Sequence, residues 1–251
     1  MFKGFYTLTS GMMTQQTNLN VISNNMANAS TPGYKKEVLT STTFAEVLIS
    51  RTGNVDKSGT VPLNVSSKIR VPDETVTYYD RGALDTTGRA LDFALLGDGF
   101  FEIQTPENQM VYTRNGSFTL DDQGYLYLQH VGRVMGTGGP VRLGTDSFKV
   151  SGDGLLQSED GQTFGQIRVV DFDDYGQLGK TGEGMFLNEN PQNLQEIRGN
   201  IGWKMLERSN VEAIDEVVAM ITSQRALQSA SQVVKMYDQL MNKAANEVGK
   251  V

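Results

Sequence analysis

Catalysis and metal binding need nucleophiles, bases and ligands, and this chain is poor in them. It has no cysteine and a single histidine, His130. Disulfides, thiolate metal sites, cysteine nucleophiles and multi-histidine centres are therefore excluded. The remaining candidates are carboxylates and glycine-rich loops. Asp171-x-Asp173-x-Tyr175-Gly176 has the outline of a calcium loop. It lacks an oxygen ligand of the Asp/Asn type at the fifth position, and Gly182 stands where a bidentate Glu is required, so it reads as a plain turn. Gly136-Thr137-Gly138-Gly139-Pro140 has no Lys-Ser or Lys-Thr ending and opens no helix, so it reads as a turn rather than a phosphate cradle. Asp121, Asp122, Asp153, Asp160, Asp173 and Asp174 could supply a carboxylate pair for glycoside hydrolysis, but almost all lie beside a glycine in turn-like settings. No catalytic residue, cofactor site or metal site is expected, and the chain is not expected to be an enzyme.

The elements around these residues are more informative. Of 27 glycines, 21 lie between Gly82 and Gly202, and proline is absent from 1–31 and 192–251. Helix breakers thus collect in the middle and leave two clean ends. From Phe2 to about Asn28 the apolar residues Phe5, Leu8, Met12, Leu19, Ile22 and Met26 follow a heptad-like spacing, and the opposite face is Ser, Thr, Asn and Gln. Thr31-Pro32-Gly33 ends that helix. From Asn210 to about Glu247 a second helix is expected, with Ser209 or Asn210 as its cap and Glu212, Asp215 and Glu216 in its first turns. Val211, Ile214, Val218 and Ile221 form its early apolar face, and Met220, Leu227, Val234 and Met241 recur at sevens. The two helices would be about 40 and 55 Å long. Six or seven buried side chains per helix contribute roughly 10–20 kcal/mol. Ordering nearly thirty residues costs on the order of 1–2 kcal/mol each. Such helices need further partners.

The middle reads as β. Phe101-Glu102-Ile103-Gln104, Tyr125-Leu126-Tyr127-Leu128 and Gln166 to Phe172 alternate, and turn clusters at 121–124, 151–154 and 173–176 separate them. An antiparallel sandwich or open barrel is expected. Phe44 to Ser50 suggests a short helix, and Thr52 to Ser67 a polar connector. Net charge is −7, which argues against a nucleic-acid partner. No apolar run is long enough to span a bilayer, and none of 7–15 residues follows Lys3, so neither membrane embedding nor a cleaved secretory signal is expected.

The residues also carry a resemblance. Asn25-Met26-Ala27-Asn28-Ala29-Ser30-Thr31-Pro32-Gly33-Tyr34-Lys35 resembles the N-terminal signature of the bacterial flagellar rod and hook proteins. Leu91 to Leu95 with Gly97-Asp98-Gly99-Phe100-Phe101, and Tyr112 to Phe118 with Asp121 to Leu126, are similar to that family's central block. Ser209-Asn210-Val211 and Met220 to Ala226 are similar to its C-terminal block. The matches are collinear. Val217-Val218 and Leu227 depart from the acidic-Met pair and the aromatic found in many relatives.

The resemblance implies an α+β chain whose N- and C-terminal helices pair as a coiled coil, with an intervening extended arm and an antiparallel β-rich domain. Its parts would be 1–34 and 206–251 as inner-layer helices, 35–80 as the arm and 81–205 as the outer domain. It implies a structural subunit of the flagellar rod, assembled into a helical tube that transmits torque and surrounds the export channel. Implied partners are copies of itself, other rod and hook proteins and, during export, the flagellar type III apparatus. The implied location is the basal body outside the cytoplasmic membrane. Phe5, Leu8, Met12, Leu19, Ile22, Met26, Val211, Ile214, Val218, Ile221, Leu227, Val234 and Met241 would be assembly contacts. Asn28, Thr31, Pro32, Gly33 and Tyr34 would form the turn leaving the inner layer, and Gly99, Arg114 and Gly116 would shape the β domain. The 56 residues from Lys35 to Ala90 favour a distal over a proximal rod type. The competing reading is a secreted β-domain wall hydrolase or adhesin.

Overall fold

The computed structural model describes residues 2–44, 47–51, 61–66, 69–145, 147–181 and 184–248. It is an α+β chain that divides into two units: 1–27 with 37–78 and 212–251, and 28–36 with 79–211.

The first unit holds two helices and a ribbon. Helix α1 is Phe2–Ala27 and helix α2 is Ala213–Val248. Strand β1, Glu37–Phe44, pairs antiparallel with β4, Ile69–Thr77, from Glu37↔Thr77 to Phe44↔Ile69. The hairpin of β2, Val47–Arg51, and β3, Val61–Ser66, lies between them in sequence. The expected arm therefore runs out and returns as a β-ribbon. The short helix expected over 44–50 is instead strand on both sides of residues 45–46, because Val47, Ile49 and their neighbours satisfy their backbones by pairing with 61–66. Of the connector expected over 52–67, residues 52–60 and 67 lie outside the described ones, and 61–66 is β3. Helix α1 packs against α2 and also against β1 and β4.

The second unit is antiparallel throughout. Its central strand, Phe100–Gln104, pairs with Met110–Thr113 along one edge. Gly132–Gly136 and then Val169–Phe172 share its other edge. The alternation seen in sequence separates two cores. Phe101 and Ile103 join Phe93, Phe118, Leu126 and Leu156 in the larger one. Phe100 joins Tyr112, Val170, Phe172 and Phe186 in the smaller. The strand expected over Gln166–Phe172 is broken in two, Thr163–Gln166 and Val169–Phe172. Ile167 leaves the ladder to bridge Gly136.

The turns answer the questions about chemistry. Asp121 accepts hydrogen bonds from the Gln123 and Tyr125 amides and pairs with Arg133 at 2.8 Å. Asp171 accepts from the Tyr175 hydroxyl at 2.7 Å, and Asp174 caps the short 3-10 turn Tyr175–Gln177. These carboxylates serve the local backbone and neighbouring donors. The glycine-rich stretch is a hairpin in which Met135 faces Pro140 and Gly136 faces Gly139. His130 occupies a turn with φ of 65°.

Candidate functional site

Two clusters stand out, one in each unit. In the β unit, the segment after α1 enters the fold as a tightly held turn. The Thr31 amide donates to Asn28 O, and the Tyr34 amide donates to Thr31 O. Gly33 adopts φ of +69°, and a Cβ there would lie 2.3 Å from the Arg114 backbone carbon. Glycine is required on both counts. The Gly33 amide donates to Glu207 O at 2.8 Å. Tyr34 is buried, with Lys180 Nζ 4.0 Å from its ring centroid. Asn28, Thr31 and Pro32 are half-buried.

The centre of this joint is ionic. Lys35 Nζ lies 2.6 Å from Glu207 Oε1, and Arg114 Nη1 lies 3.3 Å from Glu207 Oε2. All three side chains are buried. Lys35 also donates to Asp80 O, Arg114 to Gly97 O, and the Gly82 amide to Glu207 Oε1. Arg114 stands over the Phe100 ring at 5.4 Å. One carboxylate thus holds two cations and a backbone amide, and ties together residues 33–35, 80–82, 97, 114 and 207. Burial pushes the Lys35 ammonium below its ordinary pKa; Glu207 pulls it back up and Arg114 adds to the lowering.

Asn210, expected as a helix cap, belongs to this joint instead. Its Oδ1 accepts from the Lys36 amide at 2.7 Å and its Nδ2 donates to Asp80 O at 3.1 Å. Helix α2 starts three residues later, and Ser209 Oγ accepts from the Val211 amide. Arg114 and Gly116 do shape the β unit: a Cβ on Gly116 would lie 1.8 Å from Phe93 O. Sequence reasoning missed Lys35 and Glu207. A lysine and a glutamate 172 residues apart give no local signal; only their presence beside the recognised motifs pointed this way.

A second ionic group lies on the smaller core. Glu102 is buried, accepts from Arg168 Nη1 at 3.0 Å, and lies 3.5 Å from the Tyr112 hydroxyl. Burial first, and Glu102 second, push the Tyr112 hydroxyl up to about 12.

In the helical unit, Asn18 Nδ2 donates to Ser223 Oγ at 3.0 Å, and Asn25 Nδ2 lies 3.5 Å from Glu216 Oε2. Seven residues up α1 correspond to seven residues down α2, so the helices run antiparallel. Asn25 also exchanges two hydrogen bonds with the Glu37 backbone, its Nδ2 donating to the carbonyl at 2.8 Å and its Oδ1 accepting from the amide at 3.0 Å. Of the expected α1 contacts, Ile22 is buried, and Phe5, Leu8, Met12, Leu19 and Met26 are half-buried. On α2, Leu227, Val234 and Met241 are half-buried in line with buried Glu216 and Ser223. Val211 is buried in the β unit, before the helix begins.

Ile214, Val218 and Ile221 are not brought to that seam; they are 78, 59 and 45% exposed. The sequence held the reason. Four residues before Met220 on the line of Met220, Leu227, Val234 and Met241 comes 216, which at about 100° per residue lies on the opposite side of the helix from 214, 218 and 221. Val217, Val233, Met236 and Leu240 are exposed on that outer side as well. Helix α2 is therefore apolar on two faces over 214–223, where its pairing face, with Glu216 and Ser223, is the more polar one; further on, the outer face carries Arg225, Gln232 and Gln239 and the pairing face Leu227, Val234 and Met241.

Three family models match the chain. Residues 5–35 match "Flagella basal body rod protein", residues 94–156 the "Flagellar hook protein FlgE/F/G D1 domain", and residues 204–247 "Flagellar basal body rod FlgEFG protein C-terminal". Among similar proteins, the flagellar basal-body rod protein FlgG of Bacillus subtilis is 32% identical, covering 98% of this chain and 99% of its own. FlgG of Caulobacter vibrioides is 33% identical over 94% of this chain and 95% of its own. The rod protein FlgF of the same species is 29% identical over the whole of both chains.

Proposed function

The chain belongs to the flagellar basal-body rod protein family, and from that premise we propose that it is a distal-type rod subunit. It self-assembles into a helical tube that transmits torque from motor to hook and surrounds the export channel. The carrying observation is the outer face of α2, where Ile214, Val218 and Ile221 stand in water on a helix already paired along its other side. An isolated chain gains nothing from apolar residues there. A neighbouring copy that covers them recovers roughly 1.5–3 kcal/mol for each side chain fully buried. Phe5, Leu8, Met12, Leu19, Met26, Leu227, Val234 and Met241, half-buried in the single chain, complete the assembly contacts around the helix pair, which forms the coiled-coil inner layer. Gln16, Asn20 and Ser23, exposed on α1 and uncharged, suit a channel wall that must hold passing chains of neither charge sign.

The joint at Glu207 gives the load a rigid path. It fixes the turn of residues 28–36 against the β sheet through buried ionic and backbone bonds, which do not rearrange without exposing charge. FlgG-type relatives support the distal assignment, and the FlgF relative is the type expected if the subunit is proximal. Export through the flagellar type III apparatus and location in the basal body outside the cytoplasmic membrane follow from the same reading.

The absence of cysteine makes the test clean. Single cysteines replace Ser229 and Glu159, both exposed, and isolated basal bodies are cross-linked. Links to copies of itself and to hook subunits are expected. Links to proximal rod proteins without hook subunits would move it to the proximal type, and its absence from basal bodies would overturn the structural reading.

A further inference from the structure

Over residues 214–223 helix α2 presents a choice of faces to α1, and hydrophobicity alone selects the wrong one there. The outer face offers Ile214, Val217, Val218 and Ile221; the level of the pairing face beside them offers Glu216, Met220 and Ser223. A half-turn rotation of α2 about its axis would bury the branched residues on α1. A slide by one heptad would keep Leu227 and Val234 on the seam. We propose that the polar pairs Asn18–Ser223 and Asn25–Glu216 select the face and register of α2 on its own α1, and so keep Ile214, Val218 and Ile221 off that seam.

The geometry supports this at each step. The two pairs are one heptad apart on both helices, so one register satisfies both together. Ser223 and Glu216 are 6 and 3% exposed, and Asn25 is 1% exposed. In a rotated pairing Asn18 and Asn25 would face the branched side chains of 214–221, and a one-heptad slide would set Asn18 against Ala230 and Asn25 opposite Ser223, whose side chain is shorter than that of Glu216. Either way polar groups on the seam lose hydrogen-bond partners, which is the costly way to bury polarity. A single polar seam position is known to set register and partner in helix pairs at some cost in stability. Asn25 adds a second constraint, since its amide is also bonded to the Glu37 backbone and cannot turn to serve a shifted helix. Thr14, buried four residues before Asn18 on the same face, then lies opposite Leu227.

Disulfide formation reads the register directly in the purified full-length chain, independently of any flagellar role. Thr14→Cys is combined with Leu227→Cys for the observed register, with Val234→Cys for a one-heptad slide, and with Arg225→Cys for the rotated face. In the native background only the first pair should link, within one chain. With Asn18→Leu, Ser223→Ala and Glu216→Leu added, the other two pairs should rise at least tenfold. Links should also appear between chains carrying Thr14→Cys and Leu227→Cys separately. Glu216→Gln, which keeps the hydrogen bond, should retain the single register and shows that the readout survives substitution in the seam. Shifted or rotated links in the native chain would overturn the proposal, as would a single register in the triple variant or loss of its helical circular dichroism.

Discussion

The two units treat apolar surface in opposite ways. In the β unit Phe93, Phe101, Phe118 and Phe186 have no exposed surface, and even its ions, Lys35, Arg114 and Glu207, are enclosed and paired. In the helical unit, Val21 and Ile22 are the buried apolar side chains among the described residues, and Ile214 and Leu240 are 78 and 66% exposed. The β unit closes on itself because its strands bury both faces of one sheet. The helical unit leaves an apolar side uncovered, since an antiparallel helix pair and a ribbon do not cover a helix that is apolar on two sides.

Substitutions break this contrast at its two ends. The largest effect is expected from Ile221→Asp, which puts a charge where copies should meet. Assembly measured by sedimentation and swimming should be lost, with the urea midpoint of the β unit unchanged, because the side chain is exposed in the single chain. A drop in that midpoint would show that the helical unit is not the open half. Glu207→Ala should do the reverse. It leaves two buried cations without their carboxylate, so urea unfolding of the β unit should show a loss of about 3–5 kcal/mol. A loss under 1 kcal/mol would mean that water reaches the joint.

The smallest effect sharpens the contrast through pH. Tyr112 holds its proton to about 12 in the folded chain and to about 10 when unfolded. The unfolded state therefore loses the proton first, and stability contributed by the neutral phenol falls as pH rises from about 10 towards 12. Lys35 has the opposite sign: its lowered pKa means that the unfolded state binds more protons just below 10.5, so its contribution rises with pH in that window. Tyr112→Phe should flatten the alkaline loss by roughly 1–2 kcal/mol, read from urea midpoints between pH 10 and 12. An unchanged slope would assign the alkaline loss to Tyr175, whose hydroxyl is raised by burial and by Asp171.

Local pattern determined a good deal of this protein. Where glycine and proline are absent, a 3.6-residue period has one physical solution, and both helices form within a few residues of their expected bounds. Alternation at 101–104 and turn chemistry at Asp121 and Asp174 likewise depend on neighbours in sequence. Tertiary structure decided whatever depends on residues far apart in the chain. It turned the arm into a ribbon, because strand pairing of 37–44 with 69–77 satisfies backbone groups that the sequence shows only as polar stretches. It took Asn210 from a helix cap to the joint, where Lys36 and Asp80 offer its amide better partners. It also placed Glu207 between Lys35 and Arg114, since charges from 172 and 93 residues away meet only after the chain has folded, and burial then makes each depend on the others.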